Sequence, residues 1–341
     1  MLRPGSGAEA MADSTDPLGV ALIGCGLIGH KRAAALPKGS RLVTATDLVE
    51  EHARNLVDDL WPDAAVVADP VAAIEHPEVN LVIVATTHDQ LPLLGGLAVD
   101  RGRHLLLEKP GANCLPPLVD LARRAADAGV VVRVGYNHRF HPGLRRLHEL
   151  ATSGDYGPLL WLRGRYGHGG RVGYEREWRA DPARSGGGEL IDQGSHLIDL
   201  VRWLAGDVDL AHAETRTAFW DMSVDDNAFF ALRPRSGGYA WMHASWTEWK
   251  NTFHFEATYA TAKIEVDGLG GSYGTERLTL HEMSPRMGAP DTTVWEFTEP
   301  DHSWALETAD VVSSVRGGAG LGADIDDALA VLRLIDEVYM K

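Results

Sequence analysis

The stretch GVALIGCGLIGHKRAAAL, residues 19–36, decides the fold of the first half of this chain. An apolar run typical of a buried strand (20–23) leads into Gly24-x-Gly26-x-x-Gly29, and an alanine-rich stretch typical of a helix follows. The first glycine permits a tight turn, the second lets the backbone approach a pyrophosphate, and the third lets the helix pack against the strand. The alternative interpretation is a glycine-rich surface turn. Because a strand precedes the motif and a helix follows it, we predict a dinucleotide site at the helix start.

A second predicted strand (41–46) ends in Asp47, where a dinucleotide-binding fold places the acid that binds the adenosine ribose. Its carboxylate can accept hydrogen bonds from the ribose hydroxyls and would repel a 2′-phosphate. No arginine follows Asp47 directly to neutralise such a phosphate. The sequence therefore predicts NAD in preference to NADP, with Lys31 or Arg32 as residues that could still reach a 2′-phosphate.

The chain has 341 residues, which predicts two domains. Its 32 Lys and Arg residues against 48 Asp and Glu give a net charge of -16, which argues against nucleic acid or an anionic membrane as a partner and favours small molecules. The cysteines, Cys25 and Cys114, form no CxxC pair and indicate a reducing cytoplasm. Residues 1–17 are predicted to be a disordered tail, which lacks the apolar core of a secretory signal. No apolar run approaches the roughly 20 residues of a membrane helix.

Helical stretches and short apolar stretches alternate from residue 18 to residue 135. The predicted strands are 20–23, 41–46, 65–67, 81–85, 104–107 and 130–134, and the predicted helices are 27–36, 50–60, 71–75, 90–101 and 116–128. The run LVIVA at 81–85 has no polar alternation, as expected of a parallel strand buried on both faces. The pattern predicts an α/β fold whose N-terminal part, residues 18–135, is a doubly wound Rossmann domain.

Residues 136–341 follow a different pattern and form a predicted α+β domain for substrate binding and oligomerisation. The predicted strands are 159–166, 210–217, 227–232, 239–246, 253–259, 262–266 and 278–281, and the predicted helices are 142–152, 189–204, 304–315 and 324–339. Consecutive strands on short turns predict an open, mostly antiparallel sheet. Trp241, Trp246 and Trp249 would leave apolar surface on it, which predicts a homodimer or homotetramer through the open sheet. Alternatively, these rings pack under the domain's own helices.

The tripeptide Glu108-Lys109-Pro110 ends a predicted strand of the first domain. Ligands of doubly wound sheets bind at the carboxyl ends of the strands. Lys109 would then face the nicotinamide end of a bound cofactor, and the alternative is a solvated surface lysine.

Asp192 and His196 stand four residues apart on the predicted helix 189–204, which places them on one face together with Asp199. An acid one turn before a histidine can raise its basicity and fix its orientation, as a general acid/base requires. The alternative is an ordinary helical ion pair. The triple glycine 186–188 permits close approach of a ligand and favours the catalytic interpretation.

The irregular loop before this helix carries stacking rings and bidentate donors, a combination that binds sugars or their phosphates. The candidates are Arg171, Tyr174, Trp178 and Arg179 in this loop, and Tyr136, Asn137 and Arg139 in the segment YNHR at the domain junction. Taken singly, each can equally have a structural role. The sequence contains no HExxH or CxxC spacing, which would indicate a metal site. It also contains no GxSxG, which would indicate acyl transfer.

Three motifs, in this order, resemble those of the Gfo/Idh/MocA family of glucose–fructose oxidoreductase, inositol dehydrogenase and many sugar dehydrogenases. They are GCGLIG at 24–29, Glu108-Lys109-Pro110, and GGGELIDQGSHLIDLVRWL at 186–204. The resemblance covers nearly all of the chain from residue 18. It implies a Rossmann domain followed by an α/β domain whose open sheet often forms subunit contacts. It also implies a nicotinamide cofactor and reversible oxidation of a sugar or polyol hydroxyl.

The family's catalytic lysine, aspartate and histidine match Lys109, Asp192 and His196. Cofactor contacts are expected from Gly24, Gly26, Leu27, Ile28, Gly29, Asp47, Thr86, Thr87, His88, Glu108 and Lys109. Substrate contacts are expected from Tyr136, Asn137, Arg139, Arg171, Tyr174, Trp178, Asp192 and His196. One turn departs from the family, since Thr86-Thr87-His88 stands where Pro-Asn is usual and Leu91 stands near the usual histidine position.

The leading hypothesis is an NAD(P)-dependent oxidoreductase that transfers a hydride between nicotinamide and a secondary hydroxyl or ketone of a cyclic polyol, sugar or sugar nucleotide. His196 would take the hydroxyl proton while Lys109 donates a hydrogen bond to the same oxygen, and an exchange of these two roles is the alternative. Two other hypotheses are an enzyme that cycles tightly bound NAD between two sugars and a non-catalytic NAD or sugar sensor.

Overall fold

The structure, a computed structural model, describes residues 17–340, so the tail predicted for residues 1–17 lies outside the described residues apart from Pro17. The chain forms a six-stranded and an eight-stranded sheet. Within residues 17–340, no helix is both long enough and apolar enough to cross a membrane.

The first domain is a parallel sheet in the strand order β3-β2-β1-β4-β5-β6. Its strands are β1 (Leu18–Ile23), β2 (Ser40–Thr46), β3 (Ala65–Val66), β4 (Leu81–Val84), β5 (His104–Glu108) and β6 (Val132–Gly135). Its helices are α1 (Leu27–Ala34), α2 (Glu50–Leu60), α3 (Pro70–Glu75), α4 (Leu91–Val99) and α5 (Leu115–Ala128). The order reverses between β1 and β4, which is where doubly wound sheets bind ligands.

The carboxyl ends of the central strands lie level with one another. Every side chain of β1 and β4 is buried, as their unbroken apolar sequences predict. In the register of the sheet, Ile23 pairs with Thr46 and with Val84, and Val84 pairs with Leu107. The residues that follow each strand therefore meet at one edge of the sheet.

The second domain has the strand order β14-β13-β12-β11-β7-β10-β9-β8, in which β7 and β10 are parallel and the other neighbours are antiparallel. The strands are β7 (Leu159–Gly167), β8 (Val208–Arg216), β9 (Asn227–Pro234), β10 (Ala240–Ser245), β11 (Thr252–Tyr259), β12 (Ala262–Asp267), β13 (Glu276–Glu282) and β14 (Asp291–Phe297). The helices are α6 (Pro142–Thr152), α7 (Pro182–Ser185), α8 (Ser195–Ala205), α9 (Ser303–Val315) and α10 (Ile325–Tyr339). This arrangement confirms the predicted fold class.

Besides α7, which was not predicted, two elements differ from the sequence prediction. Strand β14 was not predicted, because it is an edge strand whose side chains are exposed or half-buried and so show no apolar alternation. The helix predicted for 189–204 begins as a π-helical turn, Leu190–Gly194, and continues as α8. π-Helical turns are rare in proteins, and those that occur often lie at functional sites.

The three tryptophans expected on the open sheet have different environments. Trp241 on β10 has 45% of its surface exposed, and Trp249 is exposed as well. Trp246 is fully buried and packs with Tyr174 and Val224. The prediction that all three leave apolar surface is therefore wrong for Trp246, because β10 ends before it and the alternation of the strand no longer applies.

Helix α9 returns to the first domain. Its residues Val311, Val312 and Val315 belong to the same buried cluster as Leu18 and Val20 of β1. The C-terminal part of the chain thus contributes to the core of the Rossmann sheet.

Candidate active site

A cleft of about 1080 Å³ lies at the carboxyl edge of the parallel sheet, between the two domains. The first domain lines it with its glycine motif and with the residues that follow β2, β4 and β5. The second domain lines it with the loop before α8 and with one face of the π-helical turn. The cleft therefore combines the dinucleotide motif with the substrate candidates.

The glycine motif forms a cradle that larger side chains would disrupt. Gly24 has a φ of +93°, and a Cβ built on it would collide with the carbonyl oxygen of Ala85. A Cβ on Gly29 would collide with the carbonyl oxygen of Gly24. A Cβ on Gly26 would meet no atom within 4 Å, so the backbone there faces open space in the cleft. This geometry fits a pyrophosphate above the start of α1, where Leu27 and Ile28 line the cleft.

Asp47 is held at the end of β2 by backbone groups. Its Oδ2 accepts from the Cys25 N–H at 2.7 Å, and its Oδ1 accepts from the Val49 N–H at 2.9 Å. Arg32 is fully buried in ion pairs elsewhere, so it cannot reach a 2′-phosphate. Lys31 lines the cleft, with its Nζ 5.0 Å from the centroid of a Trp304 ring.

The turn after β4 faces the cleft through Thr86, Thr87 and His88. Thr87 Oγ1 donates to an Asp89 oxygen at 2.6 Å, which fixes the turn. The Nδ1 of buried His88 lies 2.8 Å from the carbonyl oxygen of Ser185 in the second domain. Burial, with a contribution from Lys109, lowers the pKa of His88 to about 4, so its ring is neutral.

Lys109 and Asp192 form the centre of the site. Lys109 Nζ donates to Asp192 Oδ1 and, at 2.9 Å, to the main-chain oxygen of Asp192. Arg179 Nε donates to Asp192 Oδ2 at 3.0 Å. Burial opposes the charge of the Asp192 carboxylate, but Lys109 and Arg179 hold its pKa well below the usual range. Both oxygens of this acid are thus engaged by cations.

His196 lies in the same cleft but is not paired with Asp192. Its ring stacks on His138, with centroids 3.8 Å apart, and the ring of Tyr136 meets it edge-on at 5.6 Å. Its buried Nδ1 has no hydrogen-bond partner among residues 17–340. Burial and the charge of Lys109 lower the pKa of His196, and the opposing charge of Asp192 does not compensate.

Asp192 acts to raise the pKa of His196, as expected, but burial and Lys109 outweigh it, and the expectation that Asp192 orients the ring is wrong because no hydrogen bond joins the two side chains. Lys109 and Arg179, which come from outside the helix, take both oxygens of the carboxylate. Asp199, expected on the same face, pairs with Arg139 instead. Charged partners make stronger hydrogen bonds with a carboxylate than a neutral imidazole does.

Several predicted substrate residues line the cleft, and others do not. Asn137, Arg171, Tyr174 and Trp178 line it. Arg139 does not, since its guanidinium makes a buried bidentate pair with Asp199 at 2.9 and 2.6 Å and a further pair with Asp327 at 3.0 Å. Its predicted role as a substrate contact is replaced by a structural one.

Two further predicted residues contact other side chains of the protein. The ring of Tyr136 is fully buried, packs on His196 and does not line the cleft, so its predicted role as a substrate contact is wrong. Glu108 lines the cleft, but one of its oxygens accepts from Arg32 at 2.6 Å. His138, which belongs to the predicted segment YNHR, lines the cleft, and so do Tyr166, His168 and Tyr273, which were not predicted. The mixture of polar and aromatic residues in YNHR indicated His138, and no comparable pattern indicated the other three.

Two family models match the chain. The oxidoreductase family with an NAD-binding Rossmann fold matches residues 18–136, and the GFO/IDH/MocA C-terminal domain matches residues 144–273. The chain belongs to the GFO/IDH/MocA family. This confirms the resemblance found in the sequence motifs.

Relatives within the GFO/IDH/MocA family are moderately similar. A 1-carboxy-3-chloro-3,4-dihydroxycyclohexa-1,5-diene dehydrogenase of Comamonas testosteroni is 33% identical over 48% of this chain and 41% of its own length. An inositol 2-dehydrogenase of Mycolicibacterium smegmatis is 32% identical over 42% of this chain and 43% of its own length. The chain thus spans less than half the length of these two relatives. A solved levoglucosan dehydrogenase, in complex with NADH and levoglucosan, has a TM-score of 0.84 at 19% identity, and the match covers 95% of this chain and 97% of that one, which shows the shared fold.

Proposed function

We propose that this protein is an NAD-dependent dehydrogenase that acts on a secondary hydroxyl or ketone of a cyclic polyol, sugar or sugar nucleotide. The observation that carries the proposal is the meeting of Lys109, Asp192 and His196 in one cleft with the glycine cradle. Relatives named as dehydrogenases of inositol and of a cyclic diol support the same class of substrate.

A bound nicotinamide would supply the hydride acceptor in oxidation and the hydride donor in reduction. The protein's residues bind the cofactor and transfer the proton of the substrate hydroxyl. Gly24, Gly26 and Gly29 admit the pyrophosphate, and Asp47 accepts hydrogen bonds from the ribose. Thr86 and Thr87 line the path from this cradle to Lys109.

His196 is the group we assign to the hydroxyl proton. Burial and Lys109 favour its neutral form, which is the form that can accept a proton. Lys109, fixed by the carboxylate and the main-chain oxygen of Asp192, places a positive charge where the substrate oxygen gains negative charge. Stacking on His138 and packing on Tyr136 replace the expected carboxylate as the means of orienting the imidazole of His196.

The substitution His196→Ala tests this assignment. It should lower kcat by about 10²- to 10⁴-fold, since a proton-transfer group is lost, while calorimetry should find NADH binding unchanged. His212→Ala is the matched control, because His212 lies exposed on β8. If the His196 variant keeps most of its kcat, the proton acceptor is Lys109 instead.

We also propose a preference for NAD over NADP. It is supported by the carboxylate of Asp47 at the cleft and by the burial of Arg32 away from it. The wild-type protein should have a higher kcat/KM with NAD than with NADP. Asp47→Asn should reduce the ratio of these two kcat/KM values, because it removes the charge that repels a 2′-phosphate. A wild-type kcat/KM that is higher with NADP would refute this account of Asp47.

We propose, finally, a cytoplasmic homodimer or homotetramer that associates through the open face of the second sheet. The exposed ring of Trp241 supports the interface, and the two unpaired cysteines support a reducing compartment. Light scattering should give a mass of two or four chains at micromolar concentration, and a monomer there would exclude this oligomer.

A further inference from the structure

Arg179 is only partly used by its neighbours. Its Nε donates to Asp192 at 3.0 Å, but its two Nη groups have no hydrogen-bond partner among the residues of the described chain. The guanidinium carbon lies 4.6 Å from the centroid of the Trp178 ring, and this contact restricts the plane of the group. The side chain lines the cleft and has 28% of its surface exposed. Arg179 therefore presents a fixed fork of free N–H donors to the cleft.

The charges around Arg179 do not balance. Lys109 and Arg179 share the single negative charge of Asp192. The nearby acid Glu189 is fully buried with neither carboxylate oxygen hydrogen-bonded, and burial raises its pKa, so it adds no charge. Burial lowers the pKa of His196, which is neutral as well. Glu177, the other acid that acts on Arg179, pairs with Arg171 at 2.6 Å, so the groups around Asp192 keep one positive charge in excess.

The other acid in this half of the cleft lies elsewhere. Asp301 sits beside Gly270 and accepts a hydrogen bond from the Ser303 N–H at the start of α9. It makes no ion pair with Arg179. The fork of Arg179 therefore remains available to an anion that enters with the substrate.

The free N–H donors of Arg179 lie close to the place where Lys109 would bind the reacting hydroxyl. Lys109 holds Oδ1 of Asp192 and Arg179 holds Oδ2 of the same carboxylate. A group bound to Arg179 thus lies only a few carbon atoms from a hydroxyl bound to Lys109. A planar guanidinium with free N–H groups matches the oxygens of a carboxylate or phosphate.

We propose that Arg179 binds an anionic substituent of the substrate, a carboxylate or phosphate near the reacting carbinol, so that the preferred substrates are acidic sugars or acidic cyclitols. This inference rests on the proposed dehydrogenase function and narrows its substrate class. Arg179 then determines specificity, in addition to holding Asp192 in place.

The test compares matched acidic and neutral compounds with NAD. The pairs are D-glucuronate and D-glucose, D-galacturonate and D-galactose, and quinate and myo-inositol; glucose 6-phosphate distinguishes phosphate from carboxylate. The wild-type protein should have at least a tenfold higher kcat/KM for the acidic member. Arg179→Gln should lower kcat/KM for the acid by about 10- to 100-fold and collapse the acid-to-neutral ratio, and Arg179→Lys should restore part of it.

Arg176→Gln is the control, because Arg176 lies in the same loop, exposed and 3.8 Å from Glu175, and does not line the cleft. It should leave the ratio unchanged. If Arg179 only held Asp192, Arg179→Gln would lower both members of a pair equally, and the proposal would be overturned. A wild-type preference for the neutral members would overturn it too.

A binding measurement separates this proposal from the dehydrogenase function. If no compound reduces NAD, the proposed function fails, and calorimetric titration of the NADH-loaded protein with each acid still tests the fork. Binding of an acid that exceeds binding of its neutral partner and is lost in Arg179→Gln supports the anion site. Equal binding of both members excludes it.

Discussion

Two ion-pair networks begin at neighbouring residues, Glu108 at the end of β5 and Lys109 directly after it, and differ in how far their donors are open to the cleft. Glu108 joins Arg32 and Glu307, and these side chains have 10%, 0% and 2% of their surface exposed. Lys109 joins Asp192 and Arg179, which line the cleft. The first network is closed, since the protein supplies both partners of Arg32. The second leaves N–H donors of Arg179 open to the cleft, whereas the unpartnered Nη2 of Arg32 in the first network is buried.

The difference separates a structural use of charge from a chemical one. The closed network connects α1, β5 and α9, and its desolvation cost is offset only while every charge keeps its partner. The open network lies where water can leave and a ligand can enter. Substitutions in the first should therefore change stability, and substitutions in the second should change turnover.

The largest effect is expected from Arg32→Met. It leaves Glu108 and Glu307 buried without their cation, which should destabilise the fold by about 3–5 kcal/mol. Urea unfolding measures the change. Arg123→Gln is the control, because Arg123 pairs with Asp120 on the exposed side of α5, and its unfolding midpoint should match the wild type. An unchanged midpoint for Arg32→Met would mean that the closed network has no structural role.

Lys109→Met should affect turnover instead. Loss of the positive charge at the substrate oxygen should lower kcat by about 10²- to 10³-fold, the effect of removing one such donor. The urea midpoint should stay near that of the wild type, because Asp192 keeps Arg179. Steady-state kinetics and urea unfolding on the same preparation give both values, and full activity would remove Lys109 from the mechanism.

A smaller effect is expected from pH. Burial, only partly opposed by Arg32, raises the pKa of Glu307 from 4.5 to about 7. Between these values the folded protein binds a proton that the unfolded chain has released, so this stabilising contribution is complete below pH 4.5 and is lost as pH rises through 7. The loss amounts to about 3 kcal/mol. Urea unfolding from pH 5 to pH 8.5 should show a steeper decline in the wild type than in Glu307→Gln, and parallel curves would contradict the assignment.

The features that could be predicted are those that a short stretch of sequence determines. The strands of the first sheet are unbroken apolar runs, and the glycines around Gly26 have a purpose only in a strand–turn–helix unit, so both the Rossmann fold and the cradle could be predicted. The convergence of Lys109, Asp192 and His196 in one cleft followed from the family motifs.

Partners distant in the chain could not be predicted in the same way. The spacing of Asp192 and His196 indicated a pair, but it carries no information about Lys109, 83 residues away in the chain. The sequence indicated that Arg139 donates to a ligand, but in the structure it pairs with Asp199 and Asp327. Which of two available partners a carboxylate takes depends on tertiary packing.

The return of α9 to the first sheet limits how the protein can be divided. A fragment that ended at residue 135 would contain every strand of the dinucleotide unit, yet it would lose the valines of α9 that cover Leu18 and Val20. It would also leave Arg32 without Glu307. The cofactor half is therefore not a transferable module, and a chimaera with another substrate domain would have to carry α9 along with the Rossmann strands.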